Sequence, residues 1–464
     1  MDVDTLLLSR LQFAFTIAFH IIFPSFTIGL ASFLAVLEGA WLATRREAFK
    51  TLYLFWLKVF ALSFGMGVVS GVVMSYEFGT NWSVFSRVAA PVIGPLLAFE
   101  VLTAFFMEAS FLGVMLFGWK RVGPGLHFAA TCIVALGTLV SAFWIISANS
   151  WMQDPSGFAT HADGRLAAVD WGRVIFSPTF PLRFAHMVLA AYLTTSLVVG
   201  AASAWRLLKD DRQEEPRIAL RMAIGMFALV APLQLYVGDA AGKQVREVQP
   251  MKLAAIEGFW DTKAHQAFHI IAWPDRATAS NRFELSVPEA GSWITAGSAD
   301  AVVKGLKDAP APDRPPVFPV FWAFRIMVGL GLATIGLGLW GAWLWWRGGP
   351  ERSRLFLRAA IAMGPAGFVC VICGWIVAEV GRQPWVVTGV LRTAQAASPV
   401  GAGQVSSSLT GFLVVYALVF SAGALFILRL IAVGPAAEAV ASEIERPPGT
   451  PMAALPPEPG AESA

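Results

Sequence analysis

Apolar runs long enough to cross a lipid bilayer recur along the chain, with short polar connectors between most of them. They fall at about 11–42, 52–78, 91–118, 125–151, 180–207, 217–238, 318–346, 356–379 and 409–432. Each is near or above the ~20 residues a helix needs to span ~30 Å of hydrocarbon. In lipid, backbone N–H and C=O groups must be satisfied within the segment, and these runs are too long for barrel strands. The pattern therefore predicts an all-α, polytopic transmembrane helical bundle of about nine spans. One connector stands apart: residues 239–317 hold most of the soluble-looking sequence, more than an idle loop needs. The chain thus divides into six spans (1–238), this loop (239–317), three spans (318–433) and a tail (434–464). The tail, rich in Ala, Pro and Glu, reads as disordered.

Composition agrees. Hydrophobic residues make up 56% of the 464 positions and charged residues 14%, too few to clothe a soluble globule. The net charge of +3 gives no reason to expect nucleic acid as a partner. Cys132, Cys370 and Cys373 all lie in apolar runs, and the Cys370/Cys373 pair lacks nearby zinc ligands, so both read as small helix residues. The first apolar run follows acidic MDVD rather than a basic segment, so it is expected to stay in the mature protein. Arg45, Arg46, Lys50, Lys120, Arg121, Arg206, Lys209, Arg212, Arg217, Arg347, Arg352, Arg354 and Arg358 fall in one set of alternate connectors. The other set holds only Arg87, Arg165, Arg173, Arg382 and Arg392, with Asp154, Asp163 and Asp170 among them. Positive charge favours the cytoplasmic side, which places the N-terminus and the long loop outside and the tail inside.

Ionisable groups in a bilayer cost at least ~2.5 kcal/mol each near a helix centre and so mark function. Here they are His20, Glu100, Glu108, His186, Arg325 and Glu379. A solitary membrane histidine is either a packing residue or an iron ligand, since neutral imidazole binds haem iron while its other nitrogen finds an acceptor. Position favours the ligand: His20, Glu100, His186 and Met327 lie about two to three turns from the outer ends of their spans, with Glu379 near the outer face. Glu100 and Glu108, eight residues apart, share a helix face and form a candidate proton relay, which Ser141 in the next span extends. His127 receives no role. His265 and His269, four apart in the long loop, would face one another if helical, yet such a pair usually decorates a surface helix.

Four motifs then become specific: RLQFAFTIAFHIIFPS (10–25), QPMKLAAIEGFW (249–260), FRIMVGLG (324–331) and GWIVAEVGRQPW (374–385). Together, and in this order, they resemble subunit I of the cytochrome bd-type quinol oxidases over all but the tail. The resemblance implies a respiratory terminal oxidase of the bacterial inner membrane that oxidises ubiquinol or another quinol and reduces O2 to water. It implies a low-spin haem b, a high-spin haem b, and haem d or a further haem b in its place. His186 and Met327 would ligate the low-spin haem b; His20 and Glu379 would ligate the high-spin haems, with Glu100 on the distal side of the oxygen-reducing one. Arg10, Arg325 and Arg382 would pair with propionates, and Trp375 would pack beside the high-spin haems. Lys252 and Glu257 match the family's quinol-binding positions, where a lysine can hold a ring oxygen and a carboxylate can accept a proton. Subunit II is an implied partner, with room for a small single-span accessory subunit. The segment after Trp260 is short, which places the chain with the short-loop branch that includes cyanide-insensitive oxidases. Two rival classes remain, an ion-coupled transporter and an electron-transfer cytochrome b that never meets oxygen; the first predicts repeat symmetry, the second paired histidines on shared helices, and the sequence shows neither.

Overall fold

The computed structural model describes residues 3–209 and 214–435. Among them, nine helical segments are long and apolar enough to cross a membrane. The first span is α1 (Val3–His20) followed by α2 (Ile22–Thr44). Pro24 explains the break at Ile21: a proline has no N–H to return to the carbonyl four residues back, that of His20. α3 (Glu47–Thr80) returns, and α4 (Ser83–Glu100) continues through a π-turn (Val101–Phe105) into α5 (Phe106–Phe117). α6 (Pro124–Gln153) leads to a small hairpin of β1 (Phe158–Thr160) and β2 (Leu166–Ala168), then α7 (Trp171–Ile175) and α8 (Phe180–Lys209). α9 (Glu214–Val248) runs on past the apolar stretch that ends near 238, so the loop proper begins at Gln249.

That loop is folded. It holds α10 (Pro250–Glu257), an antiparallel hairpin of β3 (Phe268–Asp275) and β4 (Ser280–Val287), and α11 (Ala290–Ala296). The helical condition on His265 and His269 fails: His265 sits in a turn with φ +54° and His269 lies in β3, so the two do not share a helix face. α12 (Val317–Trp346), then α13 (Arg354–Ala362) and α14 (Ala366–Trp375), give two more spans. α14 ends in a second π-turn (Ile376–Val380) and a short hairpin of β5 (Trp385–Val387) and β6 (Leu391–Arg392). α15 (Thr393–Ala396) and α16 (Ala402–Val433) complete the fold. All of the expected tail beyond Pro435 lies outside the described residues.

Leu30, Leu34 and Leu37 of α2 pack with Tyr53, Trp56 and Phe60 of α3, Leu197 of α8 and Phe227 of α9 in the largest apolar core. Contacts between connectors fix which ends lie together. Arg46 pairs with Glu214, Arg221 with Glu351 and Arg206 with the Ala432 carbonyl at one end. At the other, Arg392 forks onto Asp313 at 2.5 and 3.1 Å, and Gln249 reaches Gln153 and Thr388.

Candidate functional site

α6 lays the site out along one edge. Gly137, Ser141, Asn149 and Gln153 recur at multiples of four residues, a row that runs obliquely up a helix surface and spans ~24 Å at 1.5 Å per residue. Glu108 packs at Gly137, where an added Cβ would come within 2.7 Å of its Cγ. Ser141 Oγ donates to Glu100 Oε1 at 2.8 Å. Asn149 Nδ2 and Gln153 Nε2 donate to Glu379 Oε1 at 3.0 and 2.9 Å. Gln153 Oε1 in turn accepts from Lys252 Nζ at 2.5 Å. One helix edge therefore joins both carboxylates of the expected relay, Glu379 and the loop lysine.

The π-turn between Glu100 and Glu108 sharpens their alignment. Eight residues of pure α-helix overshoot two turns; a π-turn absorbs about one extra residue, which removes the overshoot and aims both carboxylates at α6. Glu379 lies within the second π-turn. Such turns are rare in regular helices and recur at functional sites.

Around Glu379 the charges do not balance. Arg382 donates to its Oε2, Arg183 donates to Asn149, and Lys252 is linked through Gln153. Burial holds the Lys252 amine well below the usual lysine range; Arg183 and Arg382 push the same way and Glu379 opposes them. Gly381 makes room for this lysine, since a Cβ there would lie 3.0 Å from Lys252 Cγ. Arg183 Nε, Arg382 Nε and one terminal nitrogen of Arg382 are buried without a protein partner. Two guanidinium groups with spare donors suit an anionic group such as a haem propionate.

His186 and Met327 lie on α8 and α12, and α8–α9–α12–α14 close into a ring of packed helices. His186 Nε2 meets Gln234 Nε2 at 3.2 Å, while its Nδ1 is buried without a partner. Both residues face glycine: an added Cβ at Gly238 would lie 3.1 Å from His186 Cε1, and one at Gly374 3.3 Å from Met327 Sδ. Small residues beside a histidine and a thioether leave room for a flat ligand in the ring. His20 sits elsewhere, with Nδ1 2.9 Å from Ser70 Oγ. That hydroxyl donates to Gly67 O, so it accepts from Nδ1–H and leaves Nε2 free to bind metal.

Other expected residues fall differently. Lys252 and Glu257 point to opposite sides of α10: Lys252 toward α6, Glu257 into a 2.9 Å ion pair with Arg325 of α12. Arg325 spends its donors on Glu257, Ile256 O and His269 O, beneath the Phe321 ring. Arg10 on α1 and Trp375 at the end of α14 are half-buried outside this network. The residues missed by sequence reading are Asn149, Gln153, Arg183, Gln234 and Gln249. Polar side chains inside apolar runs were their signal, Asn149 and Gln153 at a spacing of four above all.

These features define a polytopic membrane protein with buried, partly unanswered histidine, carboxylate and guanidinium groups poised for prosthetic groups. A family model, cytochrome bd terminal oxidase subunit I, matches residues 8–435, and the chain belongs to that family. It is 37% identical over 442 residues to cytochrome bd ubiquinol oxidase subunit 1 of Bacillus subtilis (strain 168), covering 92% of this chain and 93% of the relative. It is 33% identical over 506 aligned positions to cytochrome bd-II ubiquinol oxidase subunit 1 of Escherichia coli (strain K12), covering 94% and 98%. The solved structure of bd oxidase from Geobacillus thermodenitrificans superposes with a TM-score of 0.86 at 29% identity, over 93% of this chain and 99% of that one. The chain is a multi-pass bacterial membrane protein of a haem-carrying terminal oxidase.

Proposed function

We propose that this subunit oxidises quinol at its long-loop, periplasmic side and supports reduction of O2 to water with protons drawn from the cytoplasm, building proton-motive force without a pump. The α6 edge carries this reading: it strings Glu108, Glu100, Glu379 and Lys252 into one line between the two ends of the bundle. Family membership supports the oxidase chemistry, and the names of its relatives support quinol as the donor. Cations gathered at the end opposite the long loop support the orientation.

His186 and Met327 would hold the low-spin haem b; His20 and Glu379 would hold the two high-spin haems, of which one is haem d or a further haem b. Bound there, the haems supply one-electron transfer and the iron at which O2 is reduced. Arg183 and Arg382 neutralise propionates. Glu108 and Glu100 hold and pass protons toward the oxygen side, and Ser141 orients Glu100 by donating to it. Lys252 and Glu257 serve quinol from two sides of α10, Lys252 with its amine's hold on a proton weakened by burial and Glu257 steadied by Arg325. Subunit II and a small single-span accessory chain complete the assembly.

The test is O2 uptake by the purified oxidase with a soluble ubiquinol analogue. Glu257→Ala is expected to abolish quinol-driven uptake while all haem bands persist; wild-type turnover would refute the loop assignment.

A further inference from the structure

α1 carries a polar stripe on the face turned into the protein. Thr5, Ser9, Gln12, Thr16 and His20 follow at spacings of four, three, four and four, and Ser9, Gln12 and Thr16 are fully buried in a membrane-spanning segment. Leu7 and Leu11, on the other face, are half exposed. The stripe packs against α3 and α16. Thr16 Oγ1 donates to Glu77 of α3 at 2.6 Å, Ser408 of α16 donates to Gln12 Oε1 at 3.0 Å, and the His20–Ser70 contact closes the inner end. Tyr416 of α16 packs on Phe15 and Phe19.

Protein partners do not exhaust this seam. Ser9 Oγ, Asn81 Nδ2 and Tyr416 Oη are buried and without one, and the Gln12 amide and Glu77 carboxylate face each other without closing a hydrogen bond of normal geometry. Each such atom left dry costs ~1–3 kcal/mol, and a buried water typically answers about three of them. The set mixes donors with acceptors and holds a single carboxylate, which suits water better than an ion.

We infer that the α1–α3–α16 seam binds a column of water running from the long-loop end of the bundle to the Ser70–His20 pair. The column itself stands on the unpartnered atoms; only its meaning at the inner end rests on reading His20 as a haem ligand. It gives water formed near His20 a polar route outward, on helices other than the α6 edge assigned to inward proton movement.

Two experiments test this in the intact oxidase in nanodiscs. In X-ray radiolytic footprinting of the wild type, hydroxyl radicals formed from bound water should label buried Tyr416, whereas equally buried Tyr53, whose hydroxyl is answered by Thr131, should stay unlabelled. Silver ion, applied in water, should protect Ser9→Cys and Gln12→Cys from later N-ethylmaleimide after denaturation, as it protects exposed Ser280→Cys, and should leave Leu11→Cys unprotected. An unlabelled Tyr416, or Ser9→Cys and Gln12→Cys no more reactive than Leu11→Cys, would overturn the column. Low-spin and high-spin haem bands report His20 separately, so loss of the ligand reading would show there without touching the labelling result.

Discussion

Two buried charged clusters occupy opposite ends of the bundle. Away from the long loop, Glu38 accepts from His127 Nδ1 at 2.7 Å and from Thr131 at 2.5 Å; His127 Nε2 reaches Met115 O at 3.2 Å, and Tyr53 meets Thr131 at 2.9 Å. Each side-chain polar atom there has a partner, and the cluster ties α2, α3, α5 and α6 together. Near the loop, Glu379, Arg183, Arg382 and His186 also lie among the helices, though less completely covered, with the Glu379 side chain 29% exposed, and four of their nitrogens are unanswered. Burial and charge are common to both clusters. What separates a clamp from a ligand site is whether the protein finishes its own hydrogen bonds.

That contrast can be broken at either end. Glu38→Ala strands a buried imidazole and should cost about 3–5 kcal/mol in thermal or denaturant unfolding, with unchanged haem bands in the protein that remains folded. Glu379→Ala should do the reverse: O2 reduction falls by more than about 100-fold with loss of one high-spin band, while unfolding stays near wild type. Stability loss without spectral change at Glu379 would erase the distinction. Arg382→Gln removes the spare donors and is expected to weaken haem retention by about 10–100-fold, read from haem-to-protein ratio after washing. Smallest is Ser141→Ala, which forfeits one hydrogen bond of about 1 kcal/mol and should slow proton-coupled O2 reduction roughly fivefold at constant haem content.

Much of this was legible from residue pattern because lipid makes polar groups expensive. The spans, His20, His186, Glu100, Glu108 and Glu379 all stand out against apolar runs, and GRQPW with the Lys252 loop carried the family. Other features depend on neighbours distant in sequence. Glu38 and Glu77 lie in the ends of apolar runs, where a charge looks like a boundary residue, and only the packing of α6 and α1 against them shows their burial. The first span began later on paper than in the fold, since Ser9 and Arg10 interrupt the apolar count while the polar stripe of α1 turns inward. The π-turns have no sequence signature of their own: spacing puts Glu100 and Glu108 on one helix face, and the fold adds the π-turn that tightens their alignment. Arg325 matched a propionate position in the resemblance; the fold sets it against Glu257.

The central claim, that unanswered histidine and arginine nitrogens within a charged cluster of the membrane region mark where the prosthetic groups sit, is tested most directly by reduced-minus-oxidised visible spectra of purified His186→Ala and His127→Gln oxidase. The account predicts that His186→Ala loses the low-spin haem band and keeps the high-spin bands, whereas His127→Gln keeps them all. A retained low-spin band in His186→Ala, or its selective loss in His127→Gln, would contradict it.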